Sequence, residues 1–299
     1  MSTVIDCHYH LEERCLTVDQ MIARMDAAGI GRVALMGAMT EPFPEVPKPA
    51  VRLLQCLLAY RATRPLGRKM VERFDSEGNV EILGKSYRMY PHPDNASVFD
   101  LVQRTPDRFL GWVFVRPGSA VDPVAEMERW MSRPGFVGVK AHPFWHRFEP
   151  VQLLSVAEKL IAVSKPLLIH AGFGRHGDFL ALVEKAPELK LVIAHAGFPE
   201  YTDTLRRIKD RRNIYVDLSQ TSYVSATLTR RAVEILGVER CLFGTDGPYG
   251  FPAADGKFDF GYLKARLERL FPDAGVRRRL LGENFVALAG LPDTKMQGR

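Results

Sequence analysis

Cysteine is scarce in this sequence of 299 residues, and the few cysteines that occur are not paired. They lie far apart and form no C-x-x-C motif: Cys7, Cys15, Cys56 and Cys241. A zinc ribbon requires such pairs, and a disulfide-rich secreted domain requires a denser set of cysteines. The sequence therefore argues against both classes, and we expect reduced thiols.

Long apolar segments are also absent. No uninterrupted run approaches the roughly 20 residues that a membrane-spanning helix needs. The N-terminus lacks the basic region and the long apolar stretch of a signal peptide. We therefore expect a soluble, cytoplasmic protein with no membrane partner.

Neither sign of charge dominates, because 41 Lys and Arg residues oppose 35 Asp and Glu residues for a net charge of +6. This small excess favours an anionic small-molecule substrate, or it reflects only a solvated basic surface. The densest basic runs, 206–212 and 276–281, mix charged and apolar residues at helical spacing. We interpret them as outward helix faces and expect no nucleic-acid partner.

Short apolar runs alternate with amphipathic helical patterns along most of the chain. The runs predict eight strands, at residues 3–10, 32–39, 109–117, 136–143, 166–172, 191–197, 213–219 and 240–246. Strands that alternate with helices build parallel sheets. Eight such units, with no G-x-G-x-x-G turn after the first strand, favour an α/β fold of the (β/α)8 TIM-barrel type over a doubly wound sheet. Helical patterns at 259–271 and 276–291 complete the chain.

Residues 38–95 interrupt this alternation after the second strand. They contain a proline-rich segment, a helical pattern at 50–64 and a hairpin pattern at 79–93. An insertion at this point lies at the carboxyl-terminal mouth of a barrel, where active sites lie. We predict a cap over the pocket, with a decoration or a subunit contact as the alternatives. We expect one domain over 1–291, a tail over 292–299, and a homo-oligomer, most simply a dimer.

Histidine is rare, and its placement is the strongest functional signal. Five of the eight histidines lie at the ends of predicted strands, as does Asp246 at the end of the eighth: His8, His10, His142, His170 and His195. Strand ends of a barrel meet at one mouth. Imidazole and carboxylate together suit a borderline divalent ion such as Zn²⁺. Asp246 could hold the metal, orient a water or take its proton.

The first strand determines which of its side chains share a face. Regular alternation turns every second residue toward the mouth, namely Asp6, His8 and His10. Cys7 and Tyr9 are then expected to face the helical layer.

The motifs IDCHYH, GVKAHP, PLLIHAG, LVIAHAG and CLFGTDGP, in this order, resemble the amidohydrolase superfamily. They are most similar to the amidohydrolase-related branch that includes aminocarboxymuconate semialdehyde decarboxylase and 2-pyrone-4,6-dicarboxylate lactonase. The resemblance implies one divalent metal, Zn²⁺ first with Mn²⁺ or another ion as the alternative, bound by His8, His10, His170 and Asp246. It also implies that His195 contacts the water or acts as general base, so that His195 and Asp246 are the catalytic residues.

Lys140 and His142 have more than one interpretation. In binuclear relatives a carboxylated lysine on the fourth strand bridges two metals, which makes Lys140 a possible ligand. Lys140 could instead pair with a carboxylate or bind an anionic substrate. His142 contacts the substrate or is a hydrogen-bonded mouth residue without direct chemistry. Three further side chains could clamp a substrate carboxylate, or lie as ordinary solvent-facing cations: Arg116, Arg175 and His176.

The function favoured first is a metal-dependent hydrolase that uses a metal-activated water on a small, anionic ester, lactone or amide. The same branch and ligands support a second reaction, the non-oxidative decarboxylation of an aromatic or unsaturated carboxylic acid. A third possibility is a non-catalytic barrel that binds a small anion or a partner protein. Release of CO2 separates the second function from the first, and metal content separates the third from both.

Overall fold

The computed structural model describes residues 3–44, 46–250 and 258–292. Its strands are, in chain order, β1 (Ile5–Leu11), β2 (Arg32–Gly37), β3 (Val80–Ile82), β4 (Lys85–Tyr87), β5 (Phe109–Phe114), β6 (Phe136–Ala141), β7 (Leu167–Ile169), β8 (Leu191–Ile193), β9 (Ile214–Asp217) and β10 (Cys241–Leu242). All except β3 and β4 form one parallel sheet, in the order β1-β2-β5-β6-β7-β8-β9-β10.

Backbone hydrogen bonds between the first and last strands close this sheet. The amide of Cys7 donates to the carbonyl of Phe243 at 3.0 Å, and the amide of Asp246 donates to the carbonyl of His8 at 2.7 Å. A sheet closed in this way has no free edge. The predicted eight-stranded barrel is therefore confirmed.

At least one helix follows every barrel strand. The helices are α1 (Val18–Ala28), α2 (Lys48–Ala59), α3 (Arg64–Val71), α4 (Asn95–Arg104), α5 (Pro123–Met131), α6 (Pro143–His146), α7 (Leu154–Ala162), α8 (Phe179–Lys185), α9 (Thr202–Ile208), α10 (Ala226–Leu236), α11 (Gly261–Leu270), α12 (Ala274–Arg278) and α13 (Asn284–Ala289). Helix α4, which packs against β2 and β5, was not expected from the sequence. Among the described helices, none combines the length and apolar composition that crossing a bilayer requires.

Two apolar layers lie on either side of the strands. The inner layer fills the barrel and includes Ile5, Met36, Trp112, Leu168, Val192 and Leu242. The outer layer joins the strands to the helices and includes Val33, Phe109, Val139, Ile169, Ile193 and Val216. Helix α13 belongs to the inner layer, where Phe285 packs against Trp112 with 6.0 Å between ring centroids. Helix α13 therefore closes the amino-terminal end of the barrel, opposite the mouth.

Strand β1 contains an irregularity just before its two histidines. Asp6 pairs with Val33, but Tyr9 pairs with Leu35, so β1 spans three residue steps where β2 spans two. One extra residue of this kind is a β-bulge, and it breaks the regular alternation of faces.

The first strand turns Cys7 toward the interior of the barrel. Cys7 packs in the inner apolar layer with Ile5, two residues earlier, so the expectation that it faces the helices is wrong. Tyr9 does face the helical layer, where its ring stacks on Phe260 with 5.1 Å between centroids. The carboxylate of Asp6 accepts hydrogen bonds from the amide of His8 at 3.1 Å and the amide of Thr245 at 2.9 Å. Asp6 thus ties β1 to the end of β10 beside the mouth.

The insertion consists of α2, α3 and an antiparallel hairpin of β3 and β4. The hairpin turns at Leu83 and Gly84, both at positive φ, where the sequence predicts it. The single helix predicted over 50–64 ends earlier, because Tyr60 has an extended backbone. Of the tail predicted over 292–299, all but residue 292 lies outside the described residues.

Candidate metal centre

Six of the predicted site residues lie together at the carboxyl-terminal ends of the strands, and none is more than 7% exposed: His8, His10, His142, His170, His195 and Asp246. Their ring contacts form a continuous row from His10 to His142. The centroid distances along it are 5.6 Å from His10 to His8, 5.3 Å to His195, 4.6 Å to His170 and 4.2 Å to His142.

Asp246 lies at one end of this row. Its Oδ1 is 3.1 Å from Nε2 of His8 and 3.5 Å from Nε2 of His10, and its Oδ2 is 3.8 Å from Nε2 of His195. His8, His10 and Asp246 each place one possible ligand atom within 4.8 Å of the others. A group this compact can hold a divalent ion.

Two of the imidazoles are oriented by acceptors on neighbouring strands. Nδ1 of His10 lies 3.0 Å from the carbonyl oxygen of Gly37, and Nδ1 of His8 lies 2.9 Å from Oδ2 of Asp217. A carbonyl oxygen and a carboxylate only accept, so each Nδ1 carries the hydrogen. In the neutral ring the lone pair is then on Nε2, which faces Asp246.

His170 and His195 have the same arrangement. Nδ1 of His170 lies 3.0 Å from the carbonyl oxygen of Ala171, and Nδ1 of His195 lies 2.8 Å from Oγ of Ser219. The hydroxyl of Ser219 itself donates to Asp217, so it accepts from His195. Metal-binding histidines commonly donate their second nitrogen to such groups, which fixes the ring and its tautomer. The donor set therefore fits a divalent metal.

His142 has the opposite hydrogen-bonding arrangement, because its Nδ1 accepts a hydrogen bond instead of donating one. Its Nδ1 accepts a hydrogen bond from the amide of Trp145 at 3.0 Å, as the N-cap of α6. In the neutral ring Nε2 then carries the hydrogen and has no lone pair for a metal. His142 is consequently a hydrogen-bond donor rather than a ligand.

Lys140 lies inside the cluster with no exposed surface, and its Nζ is 3.4 Å from Nε2 of His8. Burial lowers the pKa of Lys140 to about 8, although the carboxylates of Asp246 and Asp217 oppose this effect. Burial by itself would raise the pKa of both carboxylates, but the nearby histidines outweigh this effect. His8 and His195 hold the pKa of Asp246 and of Asp217 below the usual range.

Sequence reasoning missed three polar residues, one at the end of β9 and two just after it. Asp217 accepts from His8 and from the backbone amide of His195, Ser219 accepts from His195, and Nε2 of Gln220 donates to Asp246 at 3.1 Å. The sequence DLSQ at residues 217–220 contained a usable pattern. Asp217 and Ser219 are two positions apart at the end of a predicted strand, as His8 and His10 are.

The backbone of the site is unusual at three non-glycine positions. The φ angles are +56° at His195, +67° at Gln220 and +58° at Asp246. Left-handed backbone is uncommon for residues with a side chain and costs free energy. All three lie in the turns that follow barrel strands, two residues after β8, three after β9 and four after β10.

The three predicted anion-binding side chains lie elsewhere. Arg175 and His176 line a separate cavity of about 440 Å³ with Arg68 and Glu72 of the insertion. Arg116 lines another cavity, of about 360 Å³, at the end of β5. The structure therefore does not bring Arg175 or His176 to the histidine cluster.

A larger cavity, of about 480 Å³, lies between the insertion and the mouth. Its lining is mostly apolar and includes Phe43, Val51, Leu54 and Met70 from the insertion. On the barrel side, the lining side chains each contact a residue of the cluster: Trp145 lies 5.4 Å from His142, Tyr223 5.2 Å from His195 and Tyr249 5.9 Å from His10, as ring-centroid distances. We call this space the mouth cavity.

A closed (β/α)8 barrel with a buried histidine and aspartate cluster at its mouth defines a metal-binding barrel enzyme. The chain belongs to the amidohydrolase family, whose model matches residues 5–288. No curated protein sequence matches the chain significantly.

Solved structures of similar fold include several enzymes. A dihydroxybenzoic acid decarboxylase from Polaromonas, with bound manganese and the inhibitor 2-nitroresorcinol, is 17% identical with a TM-score of 0.60, over 97% of this chain and 98% of that chain. The 5-carboxyvanillate decarboxylase from Sphingomonas paucimobilis is 15% identical with a TM-score of 0.61, over 98% and 100%. The 4-oxalomesaconate hydratase from Rhodopseudomonas palustris is 15% identical with a TM-score of 0.62, over 97% and 96%. The chain is similar to these proteins in fold.

Proposed function

We propose that this chain is a metal-dependent, non-oxidative decarboxylase of an aromatic or unsaturated carboxylic acid. The observation that carries the proposal is the mouth cavity, whose aromatic side chains Trp145, Tyr223 and Tyr249 contact the histidines of the cluster. Two of the similar structures are decarboxylases of aromatic acids, which supports the same reaction. The hydrolase favoured first by the sequence stays a prediction.

The mouth cavity suits a flat, weakly polar ring. Phe43 of the insertion stacks on Tyr249 with 4.9 Å between centroids and meets Trp145 edge to face at 6.2 Å. Aromatic side chains favour such contacts with one another, and so with an aromatic ligand. The charged lining residues Arg73 and Glu81 lie 3.6 Å apart and largely offset each other.

We propose that His8, His10, His170 and Asp246 hold the metal. When bound, a divalent ion would act as a Lewis acid that polarises an oxygen of the substrate. The sequence favours Zn²⁺, whereas Mn²⁺ is bound in one of the similar structures. Lys140, buried beside His8, supplies a positive charge that attracts the carboxylate of the acid.

Decarboxylation replaces a carboxylate by hydrogen, so one proton must reach the carbon from which CO2 leaves. The electron pair of the breaking carbon–carbon bond returns to the ring or double bond of the substrate. We propose that His195 and Asp246 move this proton, because Nε2 of His195 lies 3.8 Å from Oδ2 of Asp246. Ser219 and Gln220 keep the two side chains in position through the hydrogen bonds described above.

The test is an assay of the protein loaded with Zn²⁺ or Mn²⁺ against aromatic and unsaturated carboxylic acids, lactones and esters. We expect CO2 release from at least one acid, with no isotope from labelled water in the oxygen atoms of the product. Isotope incorporation into a new carboxylate without CO2 would establish the hydrolase and overturn the decarboxylase. In the same assay the Asp246→Asn variant tests the proposed site. The Asp210→Asn variant, a substitution on the surface, is its control.

A further inference from the structure

A second cavity, of about 440 Å³, lies where the insertion meets the barrel. Its polar and aromatic lining comes from α3 and the residues just after it, from the end of α6 and from the loop after β7: Arg68, Glu72, Phe74, Arg147, Arg175 and His176. This cavity shares no lining residue with the mouth cavity. We call it the junction cavity.

Aromatic rings separate the junction cavity from the histidine cluster. Phe173, on its wall, packs against Phe144 with 5.7 Å between ring centroids, and Phe144 packs against His170 with the same separation, 5.7 Å. The junction cavity is therefore a site of its own, apart from the proposed metal centre.

Positive charge dominates the lining of the junction cavity. The guanidinium groups of Arg68, Arg147 and Arg175 outnumber the single carboxylate, that of Glu72, which accepts a hydrogen bond from Arg68. Arg147 makes no ion pair with any described residue. The nearest carboxylate oxygen to Arg175 is Oε1 of Glu149 at 3.8 Å, too far for a hydrogen bond. Two guanidinium groups in this cavity are therefore available to an anion.

Aromatic rings hold two of the arginines across the junction. The guanidinium carbon of Arg147, on the barrel, lies 5.1 Å from the ring centroid of Phe74 on the insertion. In the opposite direction, the guanidinium carbon of Arg68, on the insertion, lies 5.4 Å from the ring centroid of Phe173 on the barrel. Such contacts attract a cation to the face of a ring and restrict its position. The charges are thus held at the cavity instead of extending freely into water.

His176 adds a hydrogen-bonding group that has no partner. Its side chain lines the junction cavity and the residue is only 8% exposed, yet neither ring nitrogen bonds to any described residue. Its nitrogens are not sealed in the protein, so a ligand in the cavity can reach them. Burial, followed by the charge of Arg175, lowers the pKa of His176, so the ring is neutral near pH 7. A neutral imidazole donates one hydrogen bond, and buried polar groups nearly always have a partner.

We propose that the junction cavity binds a phosphate group, either free or carried by a small molecule, with Arg147 and Arg175 on its oxygens and His176 donating a hydrogen bond to it. A phosphate monoester carries a charge of about −1.5 to −2 near pH 7, which matches two guanidinium groups. A monocarboxylate would leave one of them uncompensated. The planar guanidinium fork also suits phosphate oxygens. The proposal depends neither on the metal nor on the decarboxylase function.

A ligand in the junction cavity would also act on the wall of the mouth cavity. Residues 68–74 of the insertion separate the two spaces, because Arg68, Glu72 and Phe74 line the junction cavity and Met70, Val71 and Arg73 line the mouth cavity. A phosphate group that bridges this segment to the barrel should hold it in place. We therefore expect slower hydrogen exchange of the amides of residues 68–74 when phosphate is bound.

The test is calorimetry of the metal-loaded protein at constant ionic strength, with inorganic phosphate, phenyl phosphate and acetate as probes. We expect a dissociation constant in the millimolar range or tighter for at least one of the two phosphates, and binding at least about tenfold weaker for acetate. Tighter binding of phenyl phosphate would identify the ligand as an organic phosphate, and tighter binding of inorganic phosphate would identify it as the free ion. Acetate that binds as tightly as both phosphates would overturn the proposal.

Variants assign the binding to the junction cavity. Arg147→Gln and Arg175→Gln should each weaken phosphate binding about tenfold, the usual effect of losing a hydrogen bond to a charged group. His176→Leu should weaken it severalfold, and His176→Gln, which keeps a donor, should restore part of the loss. Arg230→Gln, at an exposed position on α10, is the matched control and should bind as the wild type does. Circular dichroism verifies the fold of each variant.

Phosphate bound at the metal would give a different result. Such binding would be lost in Asp246→Asn and kept in the double variant of Arg147→Gln and Arg175→Gln. The proposal requires the reverse, together with slower exchange of residues 68–74 in the wild type and unchanged exchange in the double variant. Undiminished phosphate binding by the double variant, or no binding of either phosphate to the wild type, would overturn it.

Discussion

Asp217 and His8 are 209 positions apart in the chain and are joined by a hydrogen bond of 2.9 Å between Oδ2 and Nδ1. The bond fixes the hydrogen of His8 on Nδ1 and turns Nε2 toward Asp246. Asp217 also accepts from the backbone amide of His195 at 3.0 Å. One carboxylate that no sequence motif singled out therefore orients two side chains of the proposed site.

Asp217→Asn should weaken metal binding without removing any proposed ligand. The amide lacks the charge that favours the Nδ1 hydrogen of His8, and such partners of metal ligands are worth about 10- to 100-fold in affinity. Competition with a fluorescent chelator measures this change. Asp210→Asn, which alters a carboxylate that is 86% exposed, is the control. An unchanged dissociation constant for Asp217→Asn would mean that His8 is held by its packing alone.

The purified Asp246→Asn variant should contain much less than one equivalent of metal. Asp246 is the only carboxylate in the compact group with His8 and His10, and an amide oxygen is a much weaker ligand than a carboxylate. Elemental analysis after dialysis gives the metal content, and circular dichroism verifies the fold. A variant that keeps one equivalent of metal would place the ion elsewhere, and would contradict the assignment.

His146→Leu should flatten the acid side of the stability profile of the metal-free protein. Burial and the charges of Arg116 and Lys140 hold the pKa of His146 at about 3, against 6.5 for an ordinary histidine. Below pH 6.5 the unfolded chain binds a proton that the folded chain refuses, so this residue costs stability as the pH falls toward 3. Removing it should reduce the slope by up to about 1.4 kcal/mol per pH unit.

Urea unfolding in the presence of a chelator, between pH 6.5 and 4.5, measures this slope. His92→Leu replaces an exposed histidine, and its profile should follow that of the wild type. Parallel profiles for His146→Leu and the wild type would show that His146 is protonated in the folded chain.

Phe285→Ala should destabilise the barrel by about 3–5 kcal/mol, the usual loss for a buried phenylalanine. Phe285 is 1% exposed, and its ring packs on Trp112 at the closed end of the barrel. Equilibrium unfolding in urea gives the change. Leu66→Ala, at a position that is 56% exposed, should stay within about 0.5 kcal/mol. A Phe285→Ala variant as stable as the wild type would mean that α13 does not close the barrel.

The barrel and the composition of its mouth could be predicted from the sequence because both depend on periodicity. Apolar runs fix the strands, and the last residue of a barrel strand lies at the mouth whatever the angle of its side chain. His8, His10 and Asp246 are brought together for that reason. The prediction did not depend on any contact between distant residues.

Features that depend on local backbone detail could not be predicted in this way. The bulge in β1 lets two neighbouring residues, Cys7 and His8, both face the barrel interior, and a single extra residue leaves no trace in the hydrophobic pattern. Arg175 and His176 follow β7 as closely as other site residues follow their strands, but a tight helical turn over residues 174–177 carries them to another cavity. The donor role of His142 depends on one backbone amide, which only the coordinates locate.

The closure of the barrel between β1 and β10 also constrains the order of events during synthesis. His8 and His10 leave the ribosome first, but Asp217 and Asp246 are made more than 200 residues later. A nascent chain holds the imidazoles without the carboxylates that orient and complete them. The proposed metal site can therefore be complete only after the last strand has docked, and an intact site reports that the whole barrel has formed.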